Sequence, residues 1–265
     1  MIETPYELFL RSPVGRFTFT PSSLVWCSSA SLCGALFWGR PGEAETRAIF
    51  RIFDQYEHAM TIPFDVILDV RAVEVVDPGA LAVLFSWLVQ HRAALKRRIR
   101  LQASVIRAGP IGFLFAGLLP ALGRTHRSRT FTDPAEAFRV IAGDAGLAIA
   151  LEVEGIAARV RALPRELQLV RELLAARVDT TLEQAATQLG VSARSLQRLL
   201  TRQGTTFHDE VVAARLALAQ KILLTTDQKL AGVGARVGIS ERALTLLFRA
   251  QTGLTPAEWR KRQRG

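Results

Sequence analysis

The strongest constraint in this sequence is an internal repeat. Residues 182–200 recur, with substitutions, at residues 230–248, an offset of 48 positions. The matching pairs are Leu182 with Leu230, Leu189 with Val237, Gly190 with Gly238, Ser192 with Ser240, Arg194 with Arg242, Leu196 with Leu244 and Leu199 with Leu247. Apolar and turn-forming residues that recur in one order indicate one structural unit used twice.

Each copy has the pattern of two short helices joined by a tight turn. A small residue lies four positions before a glycine, where two helices can cross closely, and the glycine itself can adopt a positive φ. A serine two residues later is placed to cap the second helix, and leucines then pin that helix to a core. These residues are Ala186, Gly190, Ser192, Leu196 and Leu199 in the first copy, and Gly234, Gly238, Ser240, Leu244 and Leu247 in the second.

The segments around the two copies also predict helices. Thr180 and Glu183 have capping-box spacing ahead of the first copy, and residues 207–224 between the copies form an amphipathic stretch. Thr255 with Pro256 predicts the start of a last helix. Two exposed helices held by one connecting helix would suit successive major grooves of a duplex, about 34 Å apart.

The charge of the chain is concentrated in the same region. The 265 residues include 34 Lys and Arg against 24 Asp and Glu, a formal charge of +10, and residues 165–265 alone hold 16 cations and 9 anions. A concentrated basic excess favours polyanionic partners. Charge alone does not separate DNA from RNA or an anionic lipid surface.

Residues 167–263 resemble the DNA-binding domain of AraC/XylS-type transcription regulators. The resemblance rests on positions spread over about a hundred residues. They are 182–186, 190–200, Gly204, Arg215, Ala219, Leu223, Leu224, Phe248, 252–256, Trp259 and Arg260. The resemblance implies sequence-specific binding of double-stranded DNA and control of transcription, with RNA polymerase as a further partner.

Within that resemblance, the residues expected at the DNA belong to the second helix of each copy. Arg194, Gln197 and Arg198 match the positions that face DNA in the family, and Arg can read guanine while Gln can read adenine. Ser192 and Arg202 are expected beside them. In the second copy the expected residues are Arg242, Thr245 and Arg249.

The second copy departs from the family pattern. Leu246 stands where the first copy has Arg198, and Thr245 stands where it has Gln197. The distance from Gly238 to Phe248 is one residue shorter than is usual for the second unit of the family. We therefore expect the second helix to contact mainly the DNA backbone and to read sequence less specifically.

The N-terminal half predicts an α/β domain. Strands are expected at 14–20, 24–38, 64–70, 99–106 and 129–131, and helices at 43–59, 78–94 and from 134 onwards, with an apolar segment at 110–122. Asp77-Pro78 and Asp133-Pro134 each supply an N-cap followed by proline at the first helical position. Alternation of strands with helices is typical of α/β folds.

The order of these elements resembles STAS domains, the anti-sigma-factor antagonist fold, over residues 14–142. The family's turn Asp-Ser-Ser-Gly corresponds here to Asp77, Pro78, Gly79 and Ala80, which carries no hydroxyl for a phosphate. The resemblance implies a surface for docking a protein, without a phosphorylation switch at this turn. A general α/β sensor or homodimerisation module fits the same pattern.

We expect two domains and a linker. The predicted parts are an α/β regulatory or partner-binding domain at 1–145, a linker at 146–164, and an all-α domain with two helix-turn-helix units at 165–265. Apolar residues from Ile156 to Leu174 follow a helical spacing of three and four, and Pro164 divides them between two helices.

Other classes of function lack a signal. The sequence has no apolar run long enough to span a membrane, Glu3 and Glu7 have the wrong polarity for a secretory signal, and a cytoplasmic protein is expected. The two cysteines, Cys27 and Cys33, are expected to be small buried residues. The four histidines are scattered, and no cofactor motif, metal cluster or catalytic triad is evident, so we expect no enzyme.

One alternative to the regulator remains open. The chain would then be mainly a protein-interaction module of the antagonist type, whose second helix-turn-helix has degenerated. Leu246 and Gly234 favour it slightly, whereas the intact Arg194, Gln197 and Arg198 oppose it.

Overall fold

A computed structural model of the protein describes residues 1–59, 62–122 and 127–264. Of residues 56–59 and 118–122 it describes the backbone only. The chain divides into two compact units, Met1–Ala162 and Leu163–Gly265. The first contains a β-sheet with helices, and the second is helical throughout its described part. The predicted order of an α/β region followed by an all-α region is confirmed.

Within the described residues, the sheet of the first unit has seven strands, which follow one another in chain order. They are β1 Ile2–Glu3, β2 Arg16–Thr20, β3 Ser23–Ser29, β4 Leu32–Gly39, β5 Phe64–Val73, β6 Ile99–Val105 and β7 Ser128–Phe131. Strands β2, β3 and β4 pair antiparallel, whereas β1 pairs parallel with β2 and the strands from β4 to β7 pair parallel. The sheet is therefore mixed, with its parallel half towards the C-terminal side.

Helices connect the parallel strands and cover both faces. They are α1 Tyr6–Arg11, α2 Glu43–Ala59, α3 Pro78–Gln90, α4 Arg92–Arg98, α5 Pro110–Leu122, α6 Pro134–Ala142 and α7 Gly146–Arg161. Parallel neighbours need crossover connections, and α2, α3 with α4, and α5 supply them.

The alternation of side chains along the strands divides the core in two. In β3, Leu24 and Trp26 join the cluster that includes Phe138 of α6 and Val153 of α7, and Trp26 stacks on Phe138 at 5.6 Å. Val25 and Cys27 point to the opposite face, towards residues of α2. A sheet covered on both faces has the near-continuous apolar strands seen in this sequence.

Both cysteines are free thiols and buried, as predicted. Cys27 and Cys33 face each other across β3 and β4 at the end of the hairpin. Burial raises the pKa of the Cys33 thiol well above its ordinary value.

The single strand predicted at 24–38 is wrong. This segment forms the hairpin of β3 and β4, with its turn at residues 30 and 31. Ser29 Oγ accepts a hydrogen bond from the Ser31 backbone N–H at 3.2 Å. The local serine cluster therefore closes a turn, as serine hydroxyls commonly do.

The helix predicted at 78–94 also divides. Helix α3 ends at Gln90 and α4 begins at Arg92, because His91 leaves the helical region with φ −97° and ψ 9°. The His91 Nδ1 atom lies 2.9 Å from the Trp87 carbonyl oxygen.

Both predicted Asp-Pro helix starts are confirmed. The Asp77 carboxylate accepts a hydrogen bond from the Ala80 N–H at 3.0 Å, and Asp133 accepts one from the Ala135 N–H at 2.9 Å. Each proline occupies the first turn, where a missing N–H leaves no bond unmade.

Most of the segment 146–164, predicted as a linker, forms helix α7. Its side chains Ala150, Val153, Ile156 and Val160 are buried in the core of the first unit. Pro164 then precedes α8, so the apolar spacing across it belongs to two helices, as the proline predicted.

The second unit consists of seven helices within its described residues. They are α8 Arg165–Ala176, α9 Leu182–Gln188, α10 Ala193–Arg202, α11 Phe207–Thr225, α12 Leu230–Arg236, α13 Glu241–Thr252 and α14 Pro256–Arg264. The two copies of the repeat are α9 with α10 and α12 with α13, and α11 connects them.

Candidate nucleic-acid interface

The two turns of the repeat have the same backbone geometry. Gly190 has φ +68° and Gly238 has φ +73°, a region that side chains disfavour. The N–H after each glycine bonds back to the small residue of the first helix, Val191 to Ala186 and Ile239 to Gly234, both at 3.0 Å. The predicted turn is confirmed in both copies.

The second turn is the tighter one. A Cβ atom on Gly234 would lie 2.7 Å from the Ile239 carbonyl oxygen and 3.2 Å from the Ser240 carbonyl carbon. Both are backbone atoms of the turn, so neither can rotate away. The close crossing predicted for this position therefore requires glycine in the second copy.

Serine hydroxyls begin both exposed helices. Ser192 Oγ accepts from the Ser195 N–H at 3.1 Å, and Ser240 Oγ accepts from the Ala243 N–H at 3.2 Å. Ser192 Oγ also shares a hydrogen bond with Ser195 Oγ at 2.9 Å. The Ser192 hydroxyl thus fixes the start of α10.

The predicted cap ahead of the first copy is displaced by one residue. Thr181 caps α9, and Gln184 completes the capping box by accepting from the Thr181 N–H at 3.0 Å. Thr180 is buried and donates its hydroxyl to the Arg177 carbonyl oxygen at 2.7 Å. The prediction on Thr180 and Glu183 is wrong, because Gln at the third helical position serves as well as Glu.

Helix α10 separates an apolar face from a polar one. Leu196 and Leu200 are at most 1% exposed and pack with Leu167, Val170 and Ala186. The polar face consists of exposed side chains, namely Arg194, Gln197, Arg198 and Arg202. Two guanidinium groups and an amide thus lie within five residues on one outward surface, anchored from behind by leucine.

Helix α13 repeats this framework with different outward groups. Leu244 and Phe248 are fully buried, and Phe248 meets Trp259 of α14 edge-on at 5.7 Å. Arg242 and Arg249 are exposed, and Leu246 is 60% exposed. Thr245 is half-buried and donates its hydroxyl to the Glu241 carbonyl oxygen at 3.0 Å, so that hydrogen is used within the helix.

Connecting helix α11 begins with a capping box. Thr206 Oγ1 accepts from the Asp209 N–H at 3.1 Å, and the Asp209 carboxylate accepts from the Thr206 N–H at 2.9 Å. The hydrogen bonds from Thr206 lower the pKa of the Asp209 carboxyl.

The buried carboxylate of Glu210 ties this helix to α8. This contact was not predicted from the sequence. Glu210 is 5% exposed and accepts from Arg171 Nε at 2.8 Å and from Thr205 Oγ1 at 2.9 Å. Its signal in the sequence is one acidic residue on a helix face that is otherwise apolar. The pair fixes α8 against the start of the connecting helix.

The predicted last helix, α14, is present and its basic residues divide into two groups. Arg260 donates to the Gln228 carbonyl oxygen at 2.6 Å, and Arg264 contacts Asp227 and the Thr226 carbonyl oxygen. Lys261 and Arg262 are exposed. Arg260 and Arg264 thus brace the loop between α11 and α12.

Neither a cluster of metal ligands nor a membrane-spanning helix is found among the described residues. No group of three or more His, Cys, Asp or Glu side chains there could hold a metal ion. None of the helices described has the length and apolar composition needed to cross a membrane. Asp69 and Asp77, near the end of β5, have structural partners: Asp69 pairs with Arg71 at 2.6 Å, and Asp77 caps α3.

Residues 185–262 match the family model described as "Helix-turn-helix domain". The chain is 36% identical over 84 residues, 31% of its length, to the transcriptional activator NphR of Rhodococcus sp., and covers 25% of that protein. It is 37% identical over 95 residues, 35% of its length, to the ornithine utilization regulator of Pseudomonas aeruginosa, and covers 28% of it. The matches thus span about a quarter of the length of these curated relatives.

A solved structure is similar over part of the chain. It is that of a transcriptional regulator from Chromobacterium violaceum, described as one of the AraC-type DNA-binding domain-containing proteins. The identity is 25%, the TM-score is 0.36, and the likeness covers 37% of this chain and 91% of that one. The predicted helix-turn-helix domain is confirmed by the family match.

Proposed function

We propose that this protein is a sequence-specific DNA-binding transcription regulator of the AraC/XylS type, with an N-terminal unit that receives a signal or docks another protein. The observation that carries the proposal is the outward placement of Arg194, Gln197 and Arg198 on α10, opposite the buried Leu196 and Leu200. The helix-turn-helix match and the two curated relatives support it.

Helix α10 is the reading helix in this proposal. A guanidinium fits the O6 and N7 acceptors of guanine, and a Gln amide fits adenine. Arg194, Gln197 and Arg198 therefore contact base edges or the adjacent phosphates. Ser192, at the start of the helix, and Arg202, at its end, lie where phosphates flank a groove.

Helix α13 makes the weaker contact. Arg242 and Arg249 bind phosphate, and the Thr245 side chain lies between them on the same helix. The Leu246 side chain offers no hydrogen bond to a base edge. This half of the domain therefore contributes affinity through the DNA backbone and little discrimination between sequences.

The N-terminal α/β unit supplies regulation in this proposal. Its mixed sheet, with a helix opened by Asp77 after a central strand, supports a STAS-like arrangement. The turn Asp77–Ala80 carries no hydroxyl, so the unit works by binding rather than by phosphorylation at this turn. Contact with RNA polymerase and homodimerisation through this unit belong to the same proposal.

The alternative is a protein-interaction module without DNA reading. The exposed Leu246 on α13 favours it, because an isobutyl group offers no hydrogen bond to a base edge or a phosphate. DNA binding that depends on α10 would exclude it.

The test is the salt dependence of binding to a mixed-sequence DNA duplex, followed by fluorescence anisotropy between 50 and 200 mM salt. Each neutralised phosphate contributes about −0.9 to the slope of log affinity against log salt, so several contacts should give a slope of several units. On a duplex of mixed sequence, which offers no preferred base, both guanidinium groups should contact phosphates, so the double variant Arg194→Ala with Arg198→Ala should flatten the slope by about 2. Arg92→Ala, which removes an exposed cation from the other unit, should leave it unchanged. A wild-type protein that fails to bind at 50 mM salt would exclude the regulator.

A further inference from the structure

The first unit contains an apolar cavity between its sheet and helices α2 and α3, to which α4 and α5 add one lining residue each. The cavity has a volume of about 120 Å³. Its floor is one face of β5, with Val66, Leu68 and Val70 at alternate positions, and its cover is α3, with Leu84 and Leu88. Part of the sheet face is therefore separated from the helix above it by unfilled space.

The few polar side chains that line this cavity already have partners. Thr46 donates its hydroxyl to the Gly42 carbonyl oxygen at 2.8 Å. Asp77 caps α3 and lies 3.6 Å from Arg40, and Gln102 donates to Ser104 Oγ at 3.1 Å. Water needs two to four polar partners to occupy a cavity stably, and this lining has its polar groups committed elsewhere.

One wall of the cavity is aromatic and held in place. Trp87 stacks on Phe50, with 4.6 Å between the ring centroids and an angle of 18° between the rings. The ring centroids of Phe53 and Trp87 are 6.0 Å apart. Trp87 Nε1 donates to Asp54 Oδ1 at 2.5 Å, and His91 lies 3.1 Å from the same carboxylate oxygen. The indole is thus fixed at its polar edge while its apolar edge lines the cavity.

The cover of the cavity is less well buried than its floor. In the floor, Val66 and Val70 are at most 7% exposed and Leu68 is half-buried, whereas Leu81, Leu84, Leu88 and Trp87 of the cover are all half-buried. These four large apolar side chains of α3 are therefore partly in contact with water and partly next to empty space. Filling the space would restore their dispersion contacts and remove them further from water.

We propose that this cavity is a binding site for a small, uncharged, apolar molecule of about the size of one aromatic ring. An apolar cavity of about 150 Å³ in another protein stays dry and binds benzene, and 120 Å³ is close to that size. The described lining does not suit a charged ligand: Asp77, its one charged side chain among the described residues, would repel an anion, and for a cation it is already committed to the Ala80 N–H and to Arg40. This inference goes beyond the proposed function and does not depend on DNA binding.

The test is titration of the full-length protein with toluene, with benzoate as the charged comparison of similar size. Binding is followed by ligand-observed NMR and by tryptophan fluorescence. We expect saturable binding of toluene, a rise in the melting temperature of the first unit, and no binding of benzoate. The fluorescence change should vanish in Trp87→Phe while NMR still detects toluene, because Trp26, Trp38 and Trp259 are not among the residues lining the cavity.

A matched pair of variants places the site. Leu84→Phe fills the cavity and should weaken toluene binding at least tenfold, whereas Leu151→Phe, at a leucine 68% exposed on α7, should leave it unchanged. Ala80→Leu, also in the lining, gives the same test if Leu84→Phe does not fold. Absence of saturable toluene binding, equal binding of benzoate, or equal losses in the filling and control variants would overturn the proposal.

Discussion

Arg198 and Leu246 occupy equivalent positions in the two copies, each six residues beyond the serine that caps its helix, and both side chains are exposed. One duplicated framework therefore presents a guanidinium in the first copy and an isobutyl group in the second. The turns and caps around them are alike. The difference between the two halves of the proposed interface lies in their outward side chains.

Replacement of Arg198 separates base reading from charge. Arg198→Ala should weaken binding to a preferred duplex by about 1–3 kcal/mol, the contribution of one good base contact. Arg198→Lys should keep affinity for a mixed-sequence duplex but lose most of the preference, because an ammonium cannot form the paired hydrogen bonds of a guanidinium. Competition binding measures both the affinity for a duplex and the preference between sequences. A lysine variant with full preference would assign Arg198 to a phosphate.

Introduction of a cation at Leu246 should strengthen the second half of the interface. Leu246→Arg should make the salt slope steeper by about 0.9, the contribution of one additional phosphate contact. Leu151→Arg adds the same charge at an exposed leucine of the first unit and should not change the slope. Equal effects of the two variants would indicate general electrostatic attraction rather than a contact by α13.

Gly234→Ala should destabilise the second unit although alanine favours helices. The added Cβ would lie 2.7 Å from the Ile239 carbonyl oxygen, so backbone must move, at about 1–3 kcal/mol in the free energy of unfolding. Gly232→Ala in the same helix meets the flexible Gln228 side chain at 2.8 Å and should be neutral or stabilising by up to about 1 kcal/mol. Urea titrations give the free energies of unfolding of the two variants for comparison. The account of the turn fails if Gly234→Ala is as stable as Gly232→Ala.

Loss of Arg171 should destabilise the second unit through Glu210. Arg171→Ala removes the guanidinium that lies 2.8 Å from a buried carboxylate, and a charged hydrogen bond of this kind contributes about 1.5–3 kcal/mol. Arg177→Ala breaks only an exposed pair with Asp179 at 3.7 Å and should change stability by less than about 1 kcal/mol. The comparison uses the free energy of unfolding from urea titrations. Equal effects would mean that Glu210 gains nothing from its partner.

The second unit was predictable because its signals are local and occur twice. Gly190 specifies a positive φ and Ser192 specifies a helix cap, each through its own chemistry. Gly238 and Ser240 specify the same two features in the second copy. Of the two features missed there, the cap at Thr181 instead of Thr180 is a choice between adjacent threonines, whereas the other depends on a distant contact. The pairing of Arg171 with Glu210 joins residues 39 positions apart, and no local pattern encodes it.

The first unit was predicted less completely for a related reason. The helix start predicted at Asp77-Pro78 was correct. Between 24 and 38, however, the serines at residues 28–31 interrupt the apolar residues and mark the turn that the single-strand prediction missed. A strand buried on both faces and a longer element that folds back have the same composition. The cavity under α3 has no sequence signal, since it depends on how closely a helix approaches the sheet.

Selection of bound duplexes from a random pool tests whether α10 reads DNA sequence. The wild-type protein should enrich a motif with one strongly specified half-site and a weaker one. With Arg198→Ala, enrichment at the strongly specified half-site should disappear, while Arg92→Ala should return the wild-type motif. An Arg198→Ala protein that selects the unchanged wild-type motif would contradict the account.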